Sequence, residues 1–202
     1  AREAGKAASQ PWLVHQRRSQ DHPSDRDLCS VCGVLAGAGL GFAAHESGHL
    51  VANWMLGTDV YVKKVEGGGV PFFAIAHRDE LSRRREFIVS SAGLWVQAAT
   101  AEWLLTRTPR LRSKRAALSK GLLAFHVATS VIYGAAGLGV IGPPERDTRG
   151  MAVAMGGRER LAGVVALTPG ILDAYRYFYP SATWARWASR LSKMALLIPL
   201  LR

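Results

Sequence analysis

Cysteine is nearly missing from this chain: Cys29 and Cys32 are the two in 202 residues, which excludes a scaffold stapled by several disulfides. Acid is scarce beside base, with 15 Asp and Glu against 26 Lys and Arg and a net charge of +11. A disordered basic tail would also be poor in apolar residues. Here the apolar types, counted with Gly, make up about 57% of the chain, above the usual range for soluble domains. The length suits a single domain with a sizeable core. No repeat of fixed period is present, and no cleavable signal precedes the first apolar run, which begins at Leu28.

Charge is absent from long stretches. Residues 28–44 and 47–58 carry no Asp, Glu, Lys or Arg, and Glu46 alone interrupts them; 87–101 is uncharged, then Glu102 follows. Residues 121–144 form another uncharged run, and 161–172 a shorter one ending at Asp173. A membrane-spanning helix needs about 20 mostly apolar residues. The 121–144 run meets this alone. The first stretch exceeds it, so it is expected to tilt, to break at Gly33, Gly37, Gly39 or Gly41, or to leave the bilayer. Segments 87–105 and 161–179 qualify if Glu102 and Asp173 are accepted inside. Small residues in all four suit close helix packing. The expected fold is an all-α membrane protein, a bundle of about four transmembrane helices over 28–179. A polar segment, 1–27, precedes it and a basic, apolar tail, 180–202, follows. The competing reading is a soluble helical domain with buried helices.

The charge sits in the connections. Arg107, Arg110, Arg112, Lys114 and Arg115 occur with no acid among them, which marks 107–115 as the cytoplasmic loop. The N-terminal region and 180–192 then lie inside, with 59–85 and 145–160 outside. Such interleaving of basic loops with apolar spans favours membrane lipids over nucleic acid as the partner. The expected location is therefore the cell membrane, crossed several times. Val60-Tyr61-Val62 and 70–75 flank Gly67-Gly68-Gly69, which predicts a short β-hairpin-like loop between the first two spans.

His45-Glu46-Ser47-Gly48-His49 carries the chemistry. On a helix, residues four apart share a face, so both imidazoles can reach one metal ion, with Glu46 beside it as general base. An ionisable group inside an uncharged run is costly and functional by default. A zinc site needs a third protein ligand and an open position. Glu66, Glu102, His126 and Asp173 compete for that role. Asp173 is preferred because Pro169 can open the helix before it; its alternative is an i,i+3 ion pair with Arg176. Glu102 can instead be a paired acid, and His126 a hydrogen-bonded packing residue.

These residues resemble a known family. His45-Glu46-Ser47-Gly48-His49 with Ala52 and Gly57 looks like the first motif of the site-2 protease family of intramembrane zinc metalloproteases. Ala92-Gly93-Leu94-Trp95-Val96-Gln97 is similar to its second motif, Ala-Gly-Pro-x-x-Asn, with Leu94 for Pro and Gln97 for Asn. Residues 166–174 resemble its Asn-x-x-Pro and Leu-Asp-Gly stretch, with Ala166 for Asn, Ala174 for Gly and one residue fewer between Pro169 and Asp173. The extra span at 121–142 also departs from the family's minimal core. The resemblance covers about 45–175 and implies a zinc-dependent intramembrane endopeptidase. Its Zn²⁺ would be held by His45, His49 and Asp173, and its substrate would be a membrane-spanning protein.

In that reading Glu46 moves the proton of the attacking water, and Gln97 either donates a hydrogen bond to the substrate or ties two helices together. Ser90, Ser91, Thr100 and Glu102 would line a water path, and the hairpin would take a substrate strand by edge pairing or serve only as a surface loop. The competing function is a catalytically silent descendant that binds metal or a membrane partner. Cys29 and Cys32 form a lone Cys-x-x-Cys, expected as packed thiols at a helix start. The six tryptophans are expected as interface anchors and packing groups.

Overall fold

The computed structural model describes residues 25–65 and 72–197. They are mostly helical, with a two-stranded antiparallel sheet. The order is α1 (Asp25–Leu56), β1 (Val60–Val65), β2 (Phe72–His77), α2 (Arg83–Arg107), α3 (Ala117–Gly139), α4 (Asp147–Ala154), α5 (Glu159–Phe178) and α6 (Thr183–Ala195). The four segments expected as spans are helical, as α1, α2, α3 and α5. The expected hairpin is present, with Val60 opposite His77 and Val65 opposite Phe72; its Gly67–Gly69 turn and Glu66 lie outside the described residues, as does nearly all of 1–27.

Among the described residues two helices, α1 from Cys29 to Leu56 and α3, are long and apolar enough to cross a membrane. At 1.5 Å per residue α1 is about 48 Å long, and of the three outcomes expected for it, a break at its glycines does not occur. Gly33, Gly37 and Gly41 instead recur on one face and admit α3. A Cβ on Gly37 would stand 2.1 Å from the Leu118 carbonyl oxygen, and one on Gly121 2.0 Å from that of Val34. Gly134 and Gly137 of α3 and Gly163 of α5 make the same close approach on the other side. Packing between backbones here replaces the interdigitation of large side chains. α3 consequently sits between α1 and α5.

Two expectations about helix continuity are corrected. Pro169 does not open α5, which runs through it with the ring buried. The 145–160 connection is not simply a loop, because Asp147–Ala154 form α4. Met151 and Ala152 are fully buried among Phe87, Leu94, Ala98, Ala162 and Ala166, so burial of this apolar pair holds α4 against α2 and α5. Cys29 and Cys32 are exposed free thiols, not packed ones. Within the tail, 183–195 is the helix α6, packed on α5.

Candidate metal centre

The second half of α1 buries a polar stripe at four-residue spacing: His45, His49 and Asn53. Asn53 shapes the helix end. Its Nδ2 donates to the His49 carbonyl at 2.9 Å, and its Oδ1 accepts from Thr58 Oγ1 at 2.5 Å. Gly57 then turns the chain at φ +66°, a left-handed conformation that glycine adopts without strain.

Two glycines set the histidines against α2. A Cβ on Gly48 would meet the Ala92 carbonyl oxygen at 2.9 Å, and one on Gly93 would lie 2.5 Å from the His45 ring. The first two sequence motifs therefore interlock: one supplies the imidazole and the other the space for it. His49 Nδ1 donates to the Val89 carbonyl at 2.8 Å, which leaves its Nε2 as an acceptor in the neutral ring.

The third member of the cluster is Asp147, the first residue of α4. His45 Nε2 and His49 Nε2 are 3.2 Å apart. His45 Nε2 is 3.2 Å from Asp147 Oδ2, and His49 Nε2 is 3.4 Å from Asp147 Oδ1. In tetrahedral zinc sites with ligand bonds of about 2.0–2.1 Å, ligand atoms stand roughly 3.3–3.4 Å apart. Each pair of side chains approaches that spacing, and the three form a triangle in which one ligand atom from each lies within 4.8 Å of the others. The donor set fits as well, since two imidazole nitrogens and a carboxylate are a combination zinc accepts. Burial pushes the Asp147 carboxyl upward, but the adjacent His49 and His45 rings outweigh it. They hold the group well below the usual carboxylate range, in the ionised form a ligand needs.

Glu46 flanks this triangle, with Oε1 4.0 Å from His45 Nε2. Together with His49 and Asp147 it faces a cavity of about 730 Å³. Ile75, Ala76 and His77 of β2 form one wall, and Ser90 and Tyr133 lie on others. Ser90 Oγ donates to Glu86 Oε1 at 2.9 Å, and the other oxygen of Glu86 pairs with His77 at 3.2 Å. Lys63 of β1 bridges to Glu145 at 2.7 Å, tying the hairpin to the segment that delivers Asp147.

The structure does not bring Asp173 to the histidines. It is wholly buried in a separate network, 3.1 Å from Arg176 Nη1, 2.6 Å from Ser189 Oγ, 2.8 Å from Lys193 Nζ and 3.2 Å from His126 Nε2. Continuity of α5 through Pro169 gives the reason: without a break, Asp173 keeps its helical register and meets Arg176 one turn on. Glu102 belongs to the same network, with Lys193 at 2.8 Å and Arg190 at 2.9 Å. His126 is the packing histidine of the alternative reading.

Gln97 does not face the metal-centre cavity. It is buried one turn beyond Gly93, and neither amide atom has a hydrogen-bond partner among the described residues. Of the four residues expected along the water path, Ser90 alone borders the cavity. Ser91 and Thr100 donate to the carbonyls of Phe87 and Val96 in their own helix.

Asp147 was missed because it stands among Glu145, Arg146 and Arg149, an ordinary charged connection in sequence. The contact that seats it is tertiary and left no signal in the sequence: a Cβ on Gly150 would lie 2.0 Å from Ser90 Oγ, and its absence lets α4 settle on α2. Arg146 and Arg149 both pair with the buried Glu159, which fixes α4 to the start of α5. No protein-family model, curated protein or solved structure matches this chain.

Proposed function

We propose that the chain is an integral membrane zinc metalloprotease that hydrolyses peptide bonds of membrane-spanning protein substrates. One observation carries the reading: two imidazoles and a carboxylate converge at 3.2–3.4 Å beside Glu46, on the wall of a cavity large enough for a peptide segment. Its fold is a four-span bundle of α1, α2, α3 and α5. Just 17% of the most apolar window of α1 is buried, and Leu35, Leu50, Trp54 and Met55 face outward. A core helix of a soluble protein would cover those side chains. The charges of α2 and α5 fit the same reading, because Glu102, Asp173 and Arg176 are paired with one another inside the bundle, as intramembrane charges must be.

His45, His49 and Asp147 would hold a zinc ion, which would supply Lewis acidity toward a carbonyl when bound. Glu46 accepts the proton of the attacking water and passes it to the departing amine. The Val89 carbonyl fixes the His49 ring through Nδ1, which keeps Nε2 turned toward His45 and Asp147 and available as a ligand. A substrate strand lies along β2, which borders the cavity and has an unpaired edge among the described residues.

The test is cleavage of a membrane-spanning peptide by detergent-purified protein. Removal of metal by a chelator should abolish cleavage, and one equivalent of Zn²⁺ should restore it. Cleavage that survives exhaustive chelation contradicts the reading.

A further inference from the structure

A second cavity, about 700 Å³, opens between α2 and α6. It takes no part in the chemistry proposed above. Trp95, Ala98, Ala99 and Trp103 of α2 form one wall, and Met194, Leu196 and Leu197 the other. Arg107, Arg190, Lys193 and one acid, Glu102, supply its charged lining.

The helix that forms this groove is amphipathic in an inverted sense. Its buried face carries Ala185 and Ser189, with Lys193 turned toward the bundle, whereas Trp184, Trp187, Leu191 and Met194 point outward. A helix of this kind is stable where its apolar face meets lipid and its basic groups lie nearby. The ionic network behind it is not neutral. Arg176, Arg190 and Lys193 share two carboxylates, Glu102 and Asp173, which leaves one positive charge in excess. Lys193 Nζ is already bonded to both acids. Arg190 engages Glu102 through Nε and keeps its side chain 42% exposed. Arg107, which lines the same groove, makes no ion pair among the described residues.

An apolar slot ending in surplus positive charge, two parts of it guanidinium, matches an apolar chain joined to an anionic phosphate. We propose that the α2–α6 groove binds one anionic phospholipid, its acyl chain along Ala99, Trp103 and Leu197 and its phosphate against Arg107 and Arg190. The proposal rests on the membrane reading above, but it concerns a different site from the metal centre.

Native mass spectrometry of the full chain, purified in detergent, tests it with dioleoyl phosphatidylglycerol and dioleoyl phosphatidylcholine as probes. One phosphatidylglycerol adduct should form, with the zwitterionic lipid bound far less. At about fivefold per basic contact, replacing Arg107 and Arg190 by Gln should weaken the adduct about 25-fold. Because Arg190 also supports Glu102, a second variant is needed. Ala99→Trp fills the exposed part of the groove without touching an ion pair, and should abolish the adduct while leaving zinc content and thermal midpoint unchanged. Inorganic phosphate should not compete; competition at equal concentration would make the ligand a free phosphate and overturn the lipid assignment.

Equal adducts with both lipids, or an adduct indifferent to both variants, would overturn the site. So would an adduct that forms only after deletion of residues 198–202, because the groove would then belong to the chain's own end. A protein that stays soluble without detergent removes the membrane reading itself. Loss of lipid preference in a protein that fractionates with membranes removes this site alone.

Discussion

Glu46→Gln protein is expected to bind zinc as the native protein does and to lose peptide hydrolysis by about 10²–10⁴-fold, the usual contribution of a positioned general base. Glutamine keeps the length and shape of the side chain and can still hydrogen-bond to water, but it cannot take up a proton. Glu46 is not one of the three converging ligands; its carboxylate is 4.0 Å from His45 Nε2 and opens to the cavity. The expected split between retained metal and lost turnover follows from that separation. Zinc content and cleavage of a membrane-spanning test peptide, measured on the same preparation, check it. Hydrolysis by Glu46→Gln at the native rate would end the assignment of Glu46 as the proton carrier.

Asp173→Ala is expected to act on stability instead. The carboxylate is fully buried and accepts from Arg176, Lys193, His126 and Ser189. Its removal leaves Arg176, which is 3% exposed, facing Lys193 with less counter-charge. Deleting one partner of a buried ion pair costs about 3–5 kcal/mol, because the remaining charge stays desolvated. Thermal unfolding in detergent should show a fall of many degrees, because Ser189 and Lys193 of α6 each lose one of their bonds to the bundle. An unchanged midpoint would mean that this network contributes little to the fold.

These two carboxylates also show what the sequence made legible. Uncharged runs located α1, α2, α3 and α5, since long apolar segments have few alternatives to a helix in lipid or core. The β-branched and aromatic residues on either side of a glycine turn located the hairpin. His45 and His49 were placed together by helical spacing alone, and Glu46 beside them. The third carboxylate was not legible. Acids inside apolar runs draw attention because they need a partner, yet a partner can be an arginine as readily as a metal. Asp173 has Arg176 and Lys193, which satisfies it without zinc.

Asp147 sits in a polar stretch where a charge costs nothing until the fold buries it. What buries it is tertiary: Gly150 against Ser90, Met151 and Ala152 in the core, and Glu159 holding Arg146 and Arg149. None of these is periodic, so a pattern in one segment cannot show them. The role of Gly93 was half legible. Its match to a motif marked the position, but the reason, room for the His45 ring, exists only once α2 lies against α1.

The central claim is that Asp147, not Asp173, completes the metal centre, and zinc stoichiometry tests it most directly. Detergent-purified native protein, Asp147→Ala and Asp173→Ala are to be assayed by elemental analysis after dialysis against a weak chelator. The account predicts about one zinc per chain in the native protein and in whatever folded fraction of Asp173→Ala remains, and almost none in Asp147→Ala. Zinc retained by Asp147→Ala and lost from folded Asp173→Ala would contradict it.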